Sequence, residues 1–147
     1  MLPVNENSEK QIKRYVLDSY AVLAYLKEEA GYEMVLNRIE EANEGKSKLF
    51  MSVLNLGEVL YIVERERGLF KAQEVLALID ELPITMESVD RELTLSAAHL
   101  KAQYPIAYAD CFAVALAQQK EAVLISGDSD FEKLAEIVAL EWLPKKV

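Results

Sequence analysis

One cysteine, one histidine and one tryptophan occur among 147 residues. The lone Cys111 excludes an internal disulfide and a cysteine-built zinc site. The lone His99 lies in the amphipathic stretch TLSAAHLKAQ and reads as a structural or surface residue; no second histidine is there to make an acid–base pair with it. A cysteine nucleophile would need a histidine partner, and nothing in the sequence brings His99 to Cys111. Glycine and proline are scarce, with 5 and 4 residues, and no Pro-, Gly- or Ser-rich linker, internal repeat or low-complexity segment divides the chain. No apolar run approaches the roughly 20 residues that cross a bilayer. The opening MLPVNENSEKQIK lacks the apolar stretch of a secretion signal. We read residues 1–13 as a flexible leader and 14–147 as one domain of a cytoplasmic, non-membrane protein. Basic residues are also short: 16 Lys and Arg face 25 Asp and Glu, for a net charge of −9. That balance opposes binding to a polyanion unless bound metal or a local basic patch offsets it. The candidate patches are Lys13 with Arg14, Arg65 and Arg67 with Lys71, and Lys145 with Lys146. Solvated surface is the simplest reading of each, and a basic protein partner suits the acidic surface equally well.

Hydrophobic residues make up 52% of the chain, enough for a packed core. Short β-branched runs (RYVLD, KLFMS, ITMES, AVLIS, VALEWL) alternate with segments of helical period. Ser19, Ser52 or Asn55, and Ser88 stand as candidate helix caps, and Gly31, Gly45, Gly68 and Pro83 as helix breakers. Strand–helix alternation of this kind predicts an α/β protein, a three-layer α/β/α sandwich around a mostly parallel sheet of about five strands.

Four carboxylates interrupt apolar segments of this pattern. Asp18 ends YVLD, Glu58 breaks SVLNLGEVLYIV, Asp110 is the one charge in PIAYADCFAVALA, and Asp128 follows AVLISG. A buried carboxylate without a partner costs several kcal/mol. Asp18 and Asp128 have an ordinary alternative role as helix N-caps, and Asp130 is a better cap still for SDFEKL. Glu58 and Asp110 do not, because Leu54 and Ile62 flank the one and Ala113, Val114 and Ala117 share the face of the other. No Lys or Arg lies near Asp110 in its segment. The economical solution is a shared divalent cation. Oxygen-only ligation suits Mg2+ or Mn2+. Strand ends and the helix starts that follow them lie on one edge of a parallel sheet, where ligands collect. A hard metal in an acidic pocket commonly acts on phosphates.

In order along the chain, VLDSYAVLAYL, SVLNLGEVLY, YADCFAVALA and LISGDSDF resemble the four motifs of PIN-domain ribonucleases, and the size and motif set are most similar to VapC-type toxins. The resemblance spans Arg14 to Trp142. It implies a metal-dependent endoribonuclease that leaves 5′-phosphate and 3′-hydroxyl ends. It further implies that Asp18, Glu58, Asp110 and Asp128 are the acidic quartet that binds metal, with Ser19, Asn55, Ser126 and Asp130 supporting it. It also implies an RNA substrate, a homodimer and a cognate antitoxin whose tail covers the site. Ser19 and Ser126 stand where the family often has Thr, which retains the hydroxyl. A receiver-type phosphoacceptor domain is the alternative reading, but it wants paired acids at the first strand and a lysine after the last core strand. A haloacid-dehalogenase-like phosphatase would want Asp at residue 20, where Tyr20 stands. A catalytically inactive α/β interaction module is a further alternative.

Overall fold

The structure is a computed structural model and describes residues 12–145. Most of the expected leader (1–11) and Lys146 of the tail lie outside the described residues. Five parallel strands form one sheet in the order β3-β2-β1-β4-β5: β1 (Lys13–Leu17), β2 (Ser47–Ser52), β3 (Ile84–Glu87), β4 (Val123–Ser126) and β5 (Leu140–Trp142). Helices α1 (Ser19–Leu26) and α2 (Tyr32–Asn43) link β1 to β2. Helices α3 (Val53–Arg67) and α4 (Leu69–Glu81) link β2 to β3, and α5 (Arg91–Gln103) and α6 (Tyr108–Gln119) link β3 to β4.

The period-2 alternation of the strands sorts their side chains into two cores. Val16, Phe50 and Leu124 face α5 and α6, while Tyr15, Leu17, Leu49, Met51 and Ile125 face α1 to α4. Helix α6 is buried almost all round, from Cys111 to Ala117. Because both faces of the sheet are covered, its strands read as continuous apolar runs. The expected three-layer α/β/α fold is the one observed.

Local chemistry corrects several sequence-based boundaries. The first strand starts at Lys13, inside the stretch expected as leader, and Asp18 rather than Ser19 caps α1 by accepting from Ala21 N at 2.8 Å. Ser52, not Asn55, caps α3, accepting from Leu54 N. Asp90 replaces Ser88 as the cap of α5, so that helix begins at Arg91. The segment after β4 is a 3₁₀ turn, Ser129–Leu134, capped by Asp128 rather than Asp130. In two of these cases, Asp18 over Ser19 and Asp90 over Ser88, a carboxylate outcompetes a neighbouring hydroxyl, consistent with the stronger charge-assisted bond to a backbone N–H. The last strand is only three residues long and follows a turn whose Ile137 carbonyl accepts a hydrogen bond from Gln118 Nε2 of α6.

That short edge strand is secured from outside the sheet. Arg38 of α2 forms a two-pronged ion pair with Glu141, a second pair with Glu41, and stacks over the Tyr15 ring at 4.8 Å. Arg38→Ala is therefore expected to lower stability by about 2 kcal/mol, the usual worth of a partly buried charge-assisted pair. Urea unfolding would measure it, with Arg38→Lys recovering only part, since lysine lacks the planar fork.

Candidate metal centre

The strand order reverses direction at β1: the chain moves outward through β2 and β3, then returns to place β4 on the other side of β1. Such a switch point opens a crevice beyond the carboxyl ends of the two strands. Asp18 follows β1, and Gly127 and Asp128 follow β4, with Leu17 and Ile125 in register beneath them. Asp110 comes to the same edge in the first turn of α6, and Glu58 in the second turn of α3.

Asp18 is the most buried of these acids, at 2% exposure. One of its oxygens caps α1, and the buried Ser126 hydroxyl hydrogen-bonds to the carboxyl group. Burial nonetheless pushes its pKa up from 3.8 to about 7, and the neighbouring charges of Asp110 and Asp128 push the same way. Asp110, partly buried, is likewise raised to about 7, first by burial and then by Asp128, Glu58 and Asp130. None of the groups acting on either carboxyl is a cation. Among the described residues, no Lys or Arg forms an ion pair with Asp18, Glu58, Asp110, Asp128 or Asp130.

Carboxylate oxygens of Asp110, Asp128 and Asp130 all lie within 4.8 Å of one another. That spacing is close enough for the three carboxylates to share one cation. Asp130, expected only as a supporting residue, is thus part of the tightest acidic group. Glu58 instead accepts a hydrogen bond from the Ser19 hydroxyl and acts on Asp110 through its charge. Asn55, fully buried, donates from Nδ2 to the Ala109 carbonyl at 3.2 Å, tying α3 to the turn that carries Asp110. Its Oδ1 is buried without a protein hydrogen bond, and a water held beside a metal would satisfy such an acceptor. Ser126 Oγ also accepts from Asp128 N at 3.0 Å, so one hydroxyl links the turns after β1 and β4. The donor set and its geometry fit a hard divalent cation.

Two of the basic patches lie elsewhere. Lys13 and Arg14 begin β1, at the opposite edge of the sheet, and Arg14 is held over the Phe50 ring. Arg65 and Arg67 end α3, far along the helix from Glu58. Arg67 and Lys71, with Lys27, line a separate cavity of about 230 Å³ between α1, α3 and α4 that contains none of the site acids. Lys101, absent from all three patches, is the cation whose charge reaches the first turn of α6: it favours the Cys111 thiolate, against the burial that pushes the thiol pKa up. Its ammonium group is anchored on the Ile106 carbonyl at 2.6 Å. His99 is exposed beside Gln103, and Cys111 is a buried core residue.

Gly127 and Tyr20 also belong to the site's framework, though the sequence reading passed over both. A Cβ on Gly127 would overlap Tyr20 Cε1 and lie 2.8 Å from Cζ. A glycine wedged between two site residues, Ser126 and Asp128, was the available signal.

Fold and site together define a parallel α/β domain with a cluster of acidic residues at its switch point. Residues 15–137 match the model of the PIN domain, and the chain belongs to that family. No curated protein matches its sequence. Solved structures share the fold at low identity. A chain of VapBC2 from Rickettsia felis bound to promoter DNA is 17% identical, with a TM-score of 0.72 over 89% of this chain and 99% of that one. A chain of DNA-bound VapBC from Salmonella typhimurium is 14% identical, with a TM-score of 0.71 over 88% and 98%. VapC20 of Mycobacterium tuberculosis, a toxin that cleaves the sarcin–ricin loop, is 16% identical, with a TM-score of 0.66 over 82% and 94%.

Proposed function

We propose that this PIN domain is a metal-dependent endoribonuclease and the toxin of a toxin–antitoxin pair. The observation that carries the reading is the convergence of five acids at the switch point with no side-chain cation among the described residues paired to them. Such a cluster is self-repelling unless a cation joins it. In this reading Asp110, Asp128 and Asp130 hold Mg2+ or Mn2+, with Asp18 and Glu58 completing the ligand field directly or through water. The ion when bound supplies Lewis-acid polarisation of a phosphate oxygen and a water of lowered pKa. Ser19 fixes the Glu58 carboxylate, which then stands to accept a proton from the attacking water. Ser126 holds Asp18 and the backbone of Asp128 in register, and Asn55 holds the start of α6. Lys101 is a cation beside the start of α6 that can meet the phosphate backbone of RNA. The net charge of −9 is compatible with this substrate because a bound divalent ion would offset part of the pocket's negative charge and present a local positive centre to a phosphate.

A cognate antitoxin and a homodimer belong to the same proposal. Support comes from the VapBC complexes among the solved structures of the same fold and from large exposed apolar side chains such as Leu69 and Phe70. No helix among the described residues is long and apolar enough to cross a membrane, and we assign the protein to the cytoplasm.

The test is incubation of purified protein with defined RNAs, with Mn2+ or with EDTA, followed by mapping of fragment ends. Internal cuts with 5′-phosphate and 3′-hydroxyl ends, seen only with metal, are expected. RNA left intact in both conditions, across structured and single-stranded substrates, would count against the nuclease reading.

A further inference from the structure

We infer that Tyr20 is a positioning residue for the metal site, acting through Gly127 as a steric lock between the turns that follow β1 and β4. The inference rests on the metal-site reading above.

Three observations meet here. Gly127 has no left-handed backbone conformation, so its lack of a side chain is not needed for φ. Space is the reason: the edge of the Tyr20 ring occupies the volume of a Cβ at 127, with Cε1 overlapping it and Oη 3.0 Å away. The ring cannot swing clear at no cost, because it packs against the core on the α1–α4 side of the sheet. Second, both partners are flanked by site residues. Tyr20 follows Asp18 and Ser19 in the first turn of α1, and Gly127 sits between Ser126 and Asp128. Third, the polar links between these turns are few: the Ser126 hydroxyl contacts Asp18 and Asp128 N, and each Asp caps the turn after it. The ring-on-glycine contact adds a close-packed brace to those bonds. It sets how far the Asp128 turn stands from Asp18, and so the distances among the carboxylates that share the ion. Packed contacts that orient ligands matter nearly as much as the ligands themselves.

A two-by-two cycle tests this, with Mn2+ binding measured by calorimetry, melting of the metal-free proteins, and RNA cleavage kinetics. Gly127→Ala is expected to weaken Mn2+ binding by roughly tenfold or more, as loss of ligand orientation does, and to lower the melting temperature. It should lower kcat with KM for RNA little changed. Tyr20→Ala in that background should recover part of both binding and melting, because it removes the clash. Tyr20→Ala alone should weaken Mn2+ binding by removing the brace, whereas Tyr20→Phe should behave like wild type, since the ring and not the hydroxyl fills the space. Three results would each overturn the inference: Gly127→Ala binding Mn2+ like wild type, a double variant no better than Gly127→Ala, or Tyr20→Phe as damaging as Tyr20→Ala. Wild-type protein that binds no Mn2+ would remove the metal reading and this inference with it. Equal binding by wild type and all variants would remove this one alone.

Discussion

Asp110→Asn is expected to leave the protein folded, to raise the melting temperature of the metal-free form and to abolish metal-dependent RNA cleavage. The asparagine keeps the shape of the side chain but carries no charge. In the metal-free protein it relieves repulsion from Asp128, Glu58 and Asp130, the neighbours that help raise the pKa of Asp110. A gain of about 1 kcal/mol would appear as roughly 2–4 °C in a domain of this size. Cleavage moves the other way. If Asp110 holds the ion, the substitution weakens Lewis-acid stabilisation worth several kcal/mol, and each 1.36 kcal/mol is a factor of ten in rate. Activity should fall by about 100-fold or more, with far-ultraviolet circular dichroism unchanged. Opposite signs for stability and activity separate a metal ligand from a structural residue, because a structural acid would lose both. Unchanged cleavage by a folded Asp110→Asn protein would defeat the site assignment.

The second large effect is a reversal of pH dependence by metal. Asp18 and Asp110 both have pKa values near 7 in the folded protein, against 3.8 for an ordinary aspartate. The folded state therefore binds protons more tightly than the unfolded chain. That contribution to stability is fully present below pH 3.8 and is lost as pH rises through about 7. For fully buried Asp18 alone the difference is on the order of 4 kcal/mol. Metal-free protein should accordingly be more stable at pH 5.5 than at pH 8. A divalent ion binds the deprotonated carboxylates and competes with protons, so its stabilising effect should be large at pH 8 and nearly absent at pH 5. Thermal melts at pH 5.5, 7 and 8, in EDTA and in millimolar Mg2+ or Mn2+, would show the two trends crossing. A metal-free protein whose stability rises steadily over this range would contradict the burial and mutual repulsion described at the switch point.

The elements most legible in the sequence were those whose signal is local. The strand cores YVL, LFM and VLI, the helix break at Gly68 and the apolar α6 are written in period and composition. So was the presence of acids in apolar context, since a charge in a core segment stands out without any partner in view. Which residue caps a helix was less legible. Asp18, Asp90 and Asp128 each took a cap from a neighbour that fits the same pattern, and only the folded backbone shows which oxygen reaches which N–H. The relative weight of the acids also shifted. Asp18 looked like a replaceable cap, yet it is both the cap and the most buried carboxylate of the set.

What the sequence determined by itself is the parallel α/β class and the set of acids from which a site is built, because alternation and burial preference act over a few residues at a time. What only the tertiary structure decided is their grouping. Asp110, Asp128 and Asp130 come together, Glu58 pairs with Ser19, and the basic groups at Lys13 with Arg14 and at Arg65 and Arg67 with Lys71 fall on other surfaces. Strand order decides this, since placing β4 beside β1 joins chain segments more than a hundred residues apart. The fit of Tyr20 into the space beside Gly127 belongs to the same category. It is a steric relation between two strand ends, and no local pattern in the chain encodes the distance between them.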